Sequence, residues 1–219
     1  PVAVIQGNLE IIRRDLPADQ AAELKTEFDL IDAQTHRINI IVGKLLNFTR
    51  PDEVSDLITR LDAQCAVEDA LVLVAADLRT HKIETKLDFT QAPAIRAVET
   101  ELQQVIVNLA INAAQAMGLG GTLTIRTREA RRDGEIGTEI IVEDTGPGIS
   151  PKMIDSVFDP FMTSKLGTGS GLGLSISQTL VTRVGGLISV RSVEGEGAAF
   201  SVWFPAADNS SPVVLESAQ

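Results

Sequence analysis

Residues 101–117 constrain this chain more than any other stretch. Leu102, Val105, Ile106, Leu109, Ala113, Ala116 and Met117 recur at helical spacing, so one stripe of a helix is built for burial. Asn108 and Asn112 fall four positions apart on another stripe of the same helix. Asparagine is a poor helix-interior residue, because its side chain competes for backbone hydrogen bonds. A lone one is most often a solvated surface amide. A pair flanked by Glu101, Gln104 and Gln115 offers a row of side-chain oxygens instead. Amide oxygens of that kind ligate a hard cation such as Mg²⁺, whose other ligands are usually waters and phosphates.

A helix with one apolar stripe needs a surface to cover, and the flanking sequence supplies strands. Lys82 to Phe89 alternates polar and apolar residues, which predicts a half-buried strand. Gly118, Gly120 and Gly121 end the helix, and residues 123–127 and 138–142 read as two strands of a hairpin turning around Arg131 to Gly134. Ile176, Leu180, Val181 and Val184 mark a later helix stopped by Gly185 and Gly186, and strands at 187–191 and 198–204 flank a turn at Glu194 to Gly197. An earlier helix over 63–78 aligns Val67, Ala70, Leu71, Val74 and Leu78. Helices and strands with one apolar face each make a two-layer α/β sandwich.

The front of the chain has a different pattern. Val2, Ile5, Leu9, Ile12 and Leu16, then Leu24, Phe28, Ile31, Ile38, Val42 and Leu45, form two coiled-coil-like seams, broken at Pro17 and closed before Pro51. This predicts an antiparallel helical hairpin. Two helices with one seam each enclose little core, so pairing with a second copy as a dimeric four-helix bundle is the natural way to bury them. The expected organisation is α+β: a hairpin over 1–52, a sandwich over 53–206 and a flexible tail over 207–219.

Composition removes several classes of function. A net charge of -11 and a pI near 4.6 argue against a general nucleic-acid surface, which needs clustered Lys and Arg. They leave a nucleotide open, because backbone amides and a metal supply positive potential locally. The single Cys65 has no internal disulfide partner, and its apolar helical surroundings predict core packing. No apolar run approaches the roughly 20 residues of a membrane span. Because the sequence starts at Pro1, it reads as a piece of a longer protein, cytoplasmic in this part and joined to a membrane only through upstream regions.

The chemistry-bearing residues come after the Asn pair. The strand ending at Glu143 runs into Asp144-Thr145-Gly146-Pro147-Gly148-Ile149. A carboxylate there, followed by glycines that let a ligand approach the backbone, accepts a hydrogen bond from an exocyclic amine such as that of adenine. Asp-Thr-Gly is also the signature of aspartic proteases, where two such carboxylates share a proton, but that reading gives the Asn pair no purpose. Gly169, Gly171 and Gly173 lead into the next helix and present free amides and a positive dipole end to phosphate oxygens. Phe158 and Phe161 fit as anchors of a polar loop that closes over a nucleotide. The glycine run is neither a dinucleotide fingerprint nor a Walker loop, since no strand immediately precedes it and Lys165 lies before the glycines.

Taken in order, Asn108-x-x-x-Asn112-Ala113, Asp144-x-Gly146-x-Gly148, Phe158-x-x-Phe161 and Gly169-x-Gly171-Leu172-Gly173-Leu174 resemble the N, G1, F and G2 boxes of bacterial sensor histidine kinases. The wider GHKL superfamily adds the gyrase, heat-shock chaperone and mismatch-repair ATPases. Residues 161–165 and 112–117 are most similar to the nitrogen-, oxygen- and dicarboxylate-sensing branch. The resemblance implies a Bergerat-type ATP pocket. Asn108 and Asn112 would face Mg²⁺ and phosphate, Gln115 would belong to the nucleotide site, and Asp144 would face the adenine amine, with Gly146, Gly148 and Ile149 beside it. Phe158, Phe161 and Lys165 would belong to the lid, and Thr168, Gly169, Ser170, Gly171, Leu172, Gly173 and Leu174 would line the phosphates. It further implies a homodimer through the hairpin and a response-regulator receiver domain as partner.

Two positions depart from the family pattern. Members often carry Thr after the last glycine of the Gly-x-Gly turn, where this chain has Ala198. The phosphoacceptor His of the family precedes a Pro like Pro1 by a few residues, and neither His36 nor His81 stands in its place. The chain as given is thus expected to bind ATP without phosphorylating itself. An ATP-driven clamp of the gyrase or chaperone kind is the alternative, although Asn108 stands where those enzymes place a water-activating Glu. A signalling dimer that does not catalyse is the third reading.

Overall fold

Strand pairing begins with a short element that sequence periodicity does not reveal. In the computed structural model, which describes residues 58–160, Met162 and 171–207 together with Ile12 and Phe28, β1 (Thr59–Leu61) pairs antiparallel with β3 (Ile95–Ala97). The chain divides into two compact units, Pro1–Pro51 and Asp52–Gln219, and all described strands belong to the second. The helical hairpin expected over 1–52, with His36, lies outside the described residues apart from Ile12 and Phe28, both helical.

Five longer strands form one sheet in the order β2-β4-β5-β7-β6, where β2 is Glu84–Phe89, β4 Thr122–Arg132, β5 Glu135–Asp144, β6 Leu187–Val193 and β7 Gly197–Pro205. β2 runs parallel to β4, and every other pair is antiparallel. The β4–β5 hairpin pairs Arg132 with Glu135, so Asp133 and Gly134 are the whole turn. Their positive φ angles, 50° and 85°, match a two-residue turn whose twist suits the flanking strands.

Three helices cover one face of the sheet. α1 (Ala63–Thr80) starts at Asp62, whose carboxylate accepts from the Gln64 amide at 2.8 Å. α2 (Glu99–Met117) carries Glu99 and Glu101 in its first turn, where they complement the helix dipole, and ends at Gly118 with φ 73°. α4 (Gly173–Arg183) packs beside α2, and a single turn, α3 (Pro151–Ile154), lies between them in sequence. Val67, Ala70 and Val74 of α1 and Leu102, Ile106 and Leu109 of α2 meet Leu123, Ile125, Ile140, Val142 and Val202 of the sheet in one core. This is the α/β sandwich expected from the sequence.

Three expectations change. Cys65 is exposed, because α1 buries Ala63, Ala66, Val67, Ala70, Val74 and Leu78 and turns Cys65 to the other side with Val72 and Leu73. Ala116 is exposed and Met117 half-buried, while Ala110 and Ala114 join the buried stripe of α2. The strand expected to be half-buried, β2, is exposed from Glu84 to Asp88 since it forms the sheet edge. Leu87 pairs with fully buried Ile125 yet stays 45% exposed, so the helix layer stops short of it. Beyond β7, Ala206 and Ala207 are tied down, donating to the carbonyls of Ile136 and Ala94.

Candidate functional site

Side chains alternate along β5, so Ile140, Val142 and Asp144 share the face that the helices cover. Ile140 and Val142 are core, and Asp144 ends the row as a carboxylate only 5% exposed, with Leu123 and Ala198 as its register partners on the two neighbouring strands. Burial pushes its carboxyl above the ordinary aspartate range, the Gly146 and Ala198 backbone N–H groups draw it back down, and Glu143 adds a like charge that raises it again. The Gly146 amide donates to Oδ1 at 2.8 Å, which fixes the carboxylate's orientation. A side-chain carbon at Gly146 would stand 2.8 Å from that oxygen and would push the carboxylate out of this position.

The loop after Asp144 is clamped to the turn between β6 and β7. The Gly195 amide donates to Pro147 O at 2.7 Å, and the Ile149 amide donates to Ser192 Oγ at 2.8 Å. Ser192 in turn donates to Gly197 O at 2.6 Å. Gly148 has φ 70°, and a Cβ there would meet Val193 O at 2.2 Å. The loop therefore approaches backbone to backbone, as only glycine permits. Ala198 brings its backbone N–H rather than a side-chain hydroxyl to Asp144.

Asn108 and Asn112 are both half-buried on the face of α2 that looks toward the start of α4. Asn108 Nδ2 lies 3.3 Å from both Gly173 O and Ser177 Oγ. Asn112 makes no side-chain hydrogen bond among the described residues. An ideal Cβ on Gly173 would be 3.8 Å from Asn112 Nδ2 and 4.0 Å from Asn108 Oδ1, so the first residue of α4 stands against both amides. Gln115 is exposed in the last turn of α2 and has interactions of its own.

Of the remaining expected site residues, Phe158 is half-buried and meets Phe200 edge-to-face, with ring centroids 6.4 Å apart at 87°. Gly171 has φ 66°, Leu172 is buried and Leu174 packs against the core, so this end of the glycine run is built into the sandwich. Phe161, Lys165, Thr168, Gly169 and Ser170 lie outside the described residues. The structure thus brings the Asn pair to the start of α4, and Asp144 together with Gly146, Gly148 and Ile149 to the ends of β5 and β7. Sequence reasoning passed over Ser177, fully buried, and Ser192. The available signal was a Ser four residues after the first helical glycine, beside the apolar row Ile176, Leu180 and Val181.

The profile described as histidine kinase-, DNA gyrase B- and HSP90-like ATPase matches residues 97–208, which contain all of these groups. The chain belongs to this ATPase family. The sensor histidine kinase ZraS of Salmonella typhi is 31% identical over 208 residues, 94% of this chain and 43% of that protein. The chain therefore spans under half the length of that relative. Among solved structures, the nucleotide-free catalytic domain of the histidine kinase ThkA is 27% identical with a TM-score of 0.60, covering 68% of this chain and 95% of that one. Full-length ShkA in complex with AMPPNP is 26% identical with a TM-score of 0.69, covering 88% of this chain and 40% of that one. Within the family, this chain carries the catalytic ATP-binding domain of the bacterial sensor histidine kinases.

Among the described residues, no group of three or more His, Cys, Asp or Glu is placed to hold a metal ion. The amide pair does fit one. Gly173 O is an acceptor, so Asn108 turns Nδ2 to it, and among the described residues Asn108 Oδ1 and the Asn112 amide have no hydrogen-bond partner. Two neutral oxygens then remain for Mg²⁺, which completes its shell with waters and phosphates. No helix among the described residues is long and apolar enough to cross a membrane.

Proposed function

We propose that this domain binds Mg-ATP and, in the complete protein, supplies the γ-phosphate to a histidine ahead of Pro1, from which it passes to an aspartate of a response-regulator receiver domain. The observation that carries this reading is the buried Asp144 carboxylate, oriented by Gly146 at the end of an apolar strand face. The carboxylate already accepts from the Gly146 and Ala198 N–H groups, which hold it in place, and its remaining lone pairs can accept from an adenine amine. Asn108 and Asn112 are assigned to Mg²⁺ and phosphate. The residues from Thr168 to Leu174 are assigned to the phosphates, the segment with Phe158, Phe161 and Lys165 to the lid, and Gln115 to the pocket rim. When bound, Mg²⁺ neutralises phosphate charge; the chain's own residues position the nucleotide.

The helical hairpin over 1–52 is assigned to homodimerisation and to docking of the regulator, and the domain to the cytoplasm. ThkA, whose catalytic domain this chain resembles, has been solved in complex with the response regulator TrrA; that complex shares the fold at 22% identity and a TM-score of 0.68. The two apolar seams that precede the pocket residues in sequence and Asn108 in place of a water-activating Glu favour phosphotransfer over an ATP-driven clamp.

The test has two stages. Calorimetric titration of this chain with Mg-ATP should give a single site, weakened at least tenfold by Asp144→Asn or Asn112→Ala, the scale expected for one lost hydrogen bond or ligand. A chain extended upstream to include the histidine should then take acid-labile, base-stable label from γ-labelled ATP. ATP hydrolysis without such label would instead support the clamp, and binding without either would support a signalling dimer.

A further inference from the structure

Ser177 plays no part in the proposed pocket, yet it is 0% exposed and its hydroxyl is committed at both ends. Its proton goes to Gly173 O at 2.9 Å, one helical turn back, and its oxygen accepts from Asn108 Nδ2 at 3.3 Å. Asn108 Nδ2 reaches Gly173 O as well, also at 3.3 Å. Three groups from two helices therefore close a ring in which every donor and acceptor is fixed. A flipped Asn108 carboxamide would set Oδ1 against the Gly173 carbonyl oxygen, and the Ser177 hydroxyl could meet it only by giving up its own bond to Gly173 O.

We propose that Ser177 is a positioning residue: it holds the Asn108 carboxamide in the one orientation that presents Oδ1 to a divalent cation. The inference rests on the assignment of Asn108 to Mg²⁺ and adds the group that orients it. Arg183, at the other end of α4, pairs with Glu101 of α2, so the two helices stay together without the ring. The ring's own role is the orientation of one amide. Removing the Ser177 hydroxyl leaves Gly173 O as the one group among the described residues that selects that orientation.

The test is Ser177→Ala in this chain, read in two ways. Two-dimensional amide NMR without nucleotide should show the Asn108 side-chain NH₂ protected from solvent exchange in the wild type and several-fold less protected in the variant. Equal protection in both overturns the proposal, whether or not the chain binds ATP. Nucleotide titration should then show affinity for Mg-ATP reduced roughly five- to tenfold in Ser177→Ala, about the value of one hydrogen bond, with affinity for ATP in EDTA unchanged. Equal losses with and without Mg²⁺ mean that Ser177 only packs the helix, which also overturns it. In an Asn108→Ala background, Ser177→Ala should have no further effect on Mg-ATP, and additive losses count against the coupling. A wild type that binds no nucleotide would refute the functional reading separately, since the NMR arm does not depend on it.

Discussion

The two faces of the five-stranded sheet obey different rules. On the face under the helices, β4 and β5 contribute Leu123, Ile125, Ile140 and Val142, each at most 1% exposed. On the opposite face the same strands contribute Arg126, Arg128, Glu139 and Glu143, which pair across the strands. One face is held by volume and the other by charge. Asp144 is instructive because its position in the strand assigns it to the wrong set: it is a charge on the volume face. A one-residue slip of β5 would exchange it for Glu143 and destroy both the core and the site.

The contrast is broken most severely on the covered face. Ile140→Ala should cost about 2–5 kcal/mol, because Ile140 is fully buried and the helices above it cannot collapse into the space. Ile141→Ala, one residue along on the other face, should cost about 1 kcal/mol or less, since Ile141 is only half-buried. Urea unfolding of the pair measures the difference directly. Similar losses in both would mean that the open face is also a packed one.

Asp144 comes next, and its effect falls on binding. Asp144→Asn should lower nucleotide affinity by about 1.5–3 kcal/mol, the range for a hydrogen bond to a charged group, while the chain stays folded. The raised carboxyl also sets a pH dependence with a defined sign. Because the folded state holds its proton to higher pH than the unfolded chain, Asp144 favours the folded state most at low pH, and that contribution falls as pH rises through the folded value. The ionised carboxylate is the stronger acceptor for the adenine amine, so affinity should fall as pH drops, beginning above the ordinary aspartate range. Titrations over a pH series should show this decline in the wild type and a flatter profile in Asp144→Asn.

The existence of β5 and the position of Asp144 at its end were legible because an apolar run at 140–142 leads directly into a glycine turn, whereas its facing was not, since Ile140, Ile141 and Val142 are all apolar. α2 was legible too, where two Asn residues four apart contradict helix preference in a way that demands a partner. Other features were not legible, for separate reasons. β1 and β3 are three residues long, too short for any period to register. α1 carries Val72 and Leu73 on its exposed side, so its apolar pattern is not confined to one face; the signal that Cys65 faces outward was Asp62, Glu68 and Asp69, three or four residues from it on the same helix face. The exposure of β2 depends on its place at the sheet edge, which is a property of strand order. Ser177 meets Asn108 across 69 positions of sequence, and no local pattern announces that contact.

On the open face the largest effect should come from Glu139, which is 3% exposed although the face is not covered by helices. Arg128 and Arg132 both reach it, at 2.6 and 3.2 Å, and Trp203 lies beside it in register on β7. Glu139→Ala would leave two guanidinium groups without their acceptor. Both are exposed enough to recover water, so the expected loss is about 1–2 kcal/mol, below that of a fully buried pair. Thermal unfolding in low and high salt should show part of the loss persisting, because Glu139 itself is shielded from solvent.

Arg126 should give the smallest effect and so marks the limit of the charge rule. It pairs with Glu143 and with Asp88, but Arg126, Glu143 and Asp88 are 39%, 42% and 65% exposed. At that exposure the attraction is screened and two long side chains lose freedom to make it, so Arg126→Ala should cost about 0–1 kcal/mol. Raising the salt to about 1 M shrinks the screening length to about 3 Å and should remove what remains. Glu143 also raises the Asp144 carboxyl, so an unpaired Glu143 should push it further in the same direction. Arg126→Ala should therefore move the acid decline in nucleotide affinity to higher pH at low salt while leaving stability almost unchanged. A shift in stability without a shift in that pH profile would show that the open face acts on folding alone and has no link to the site behind it.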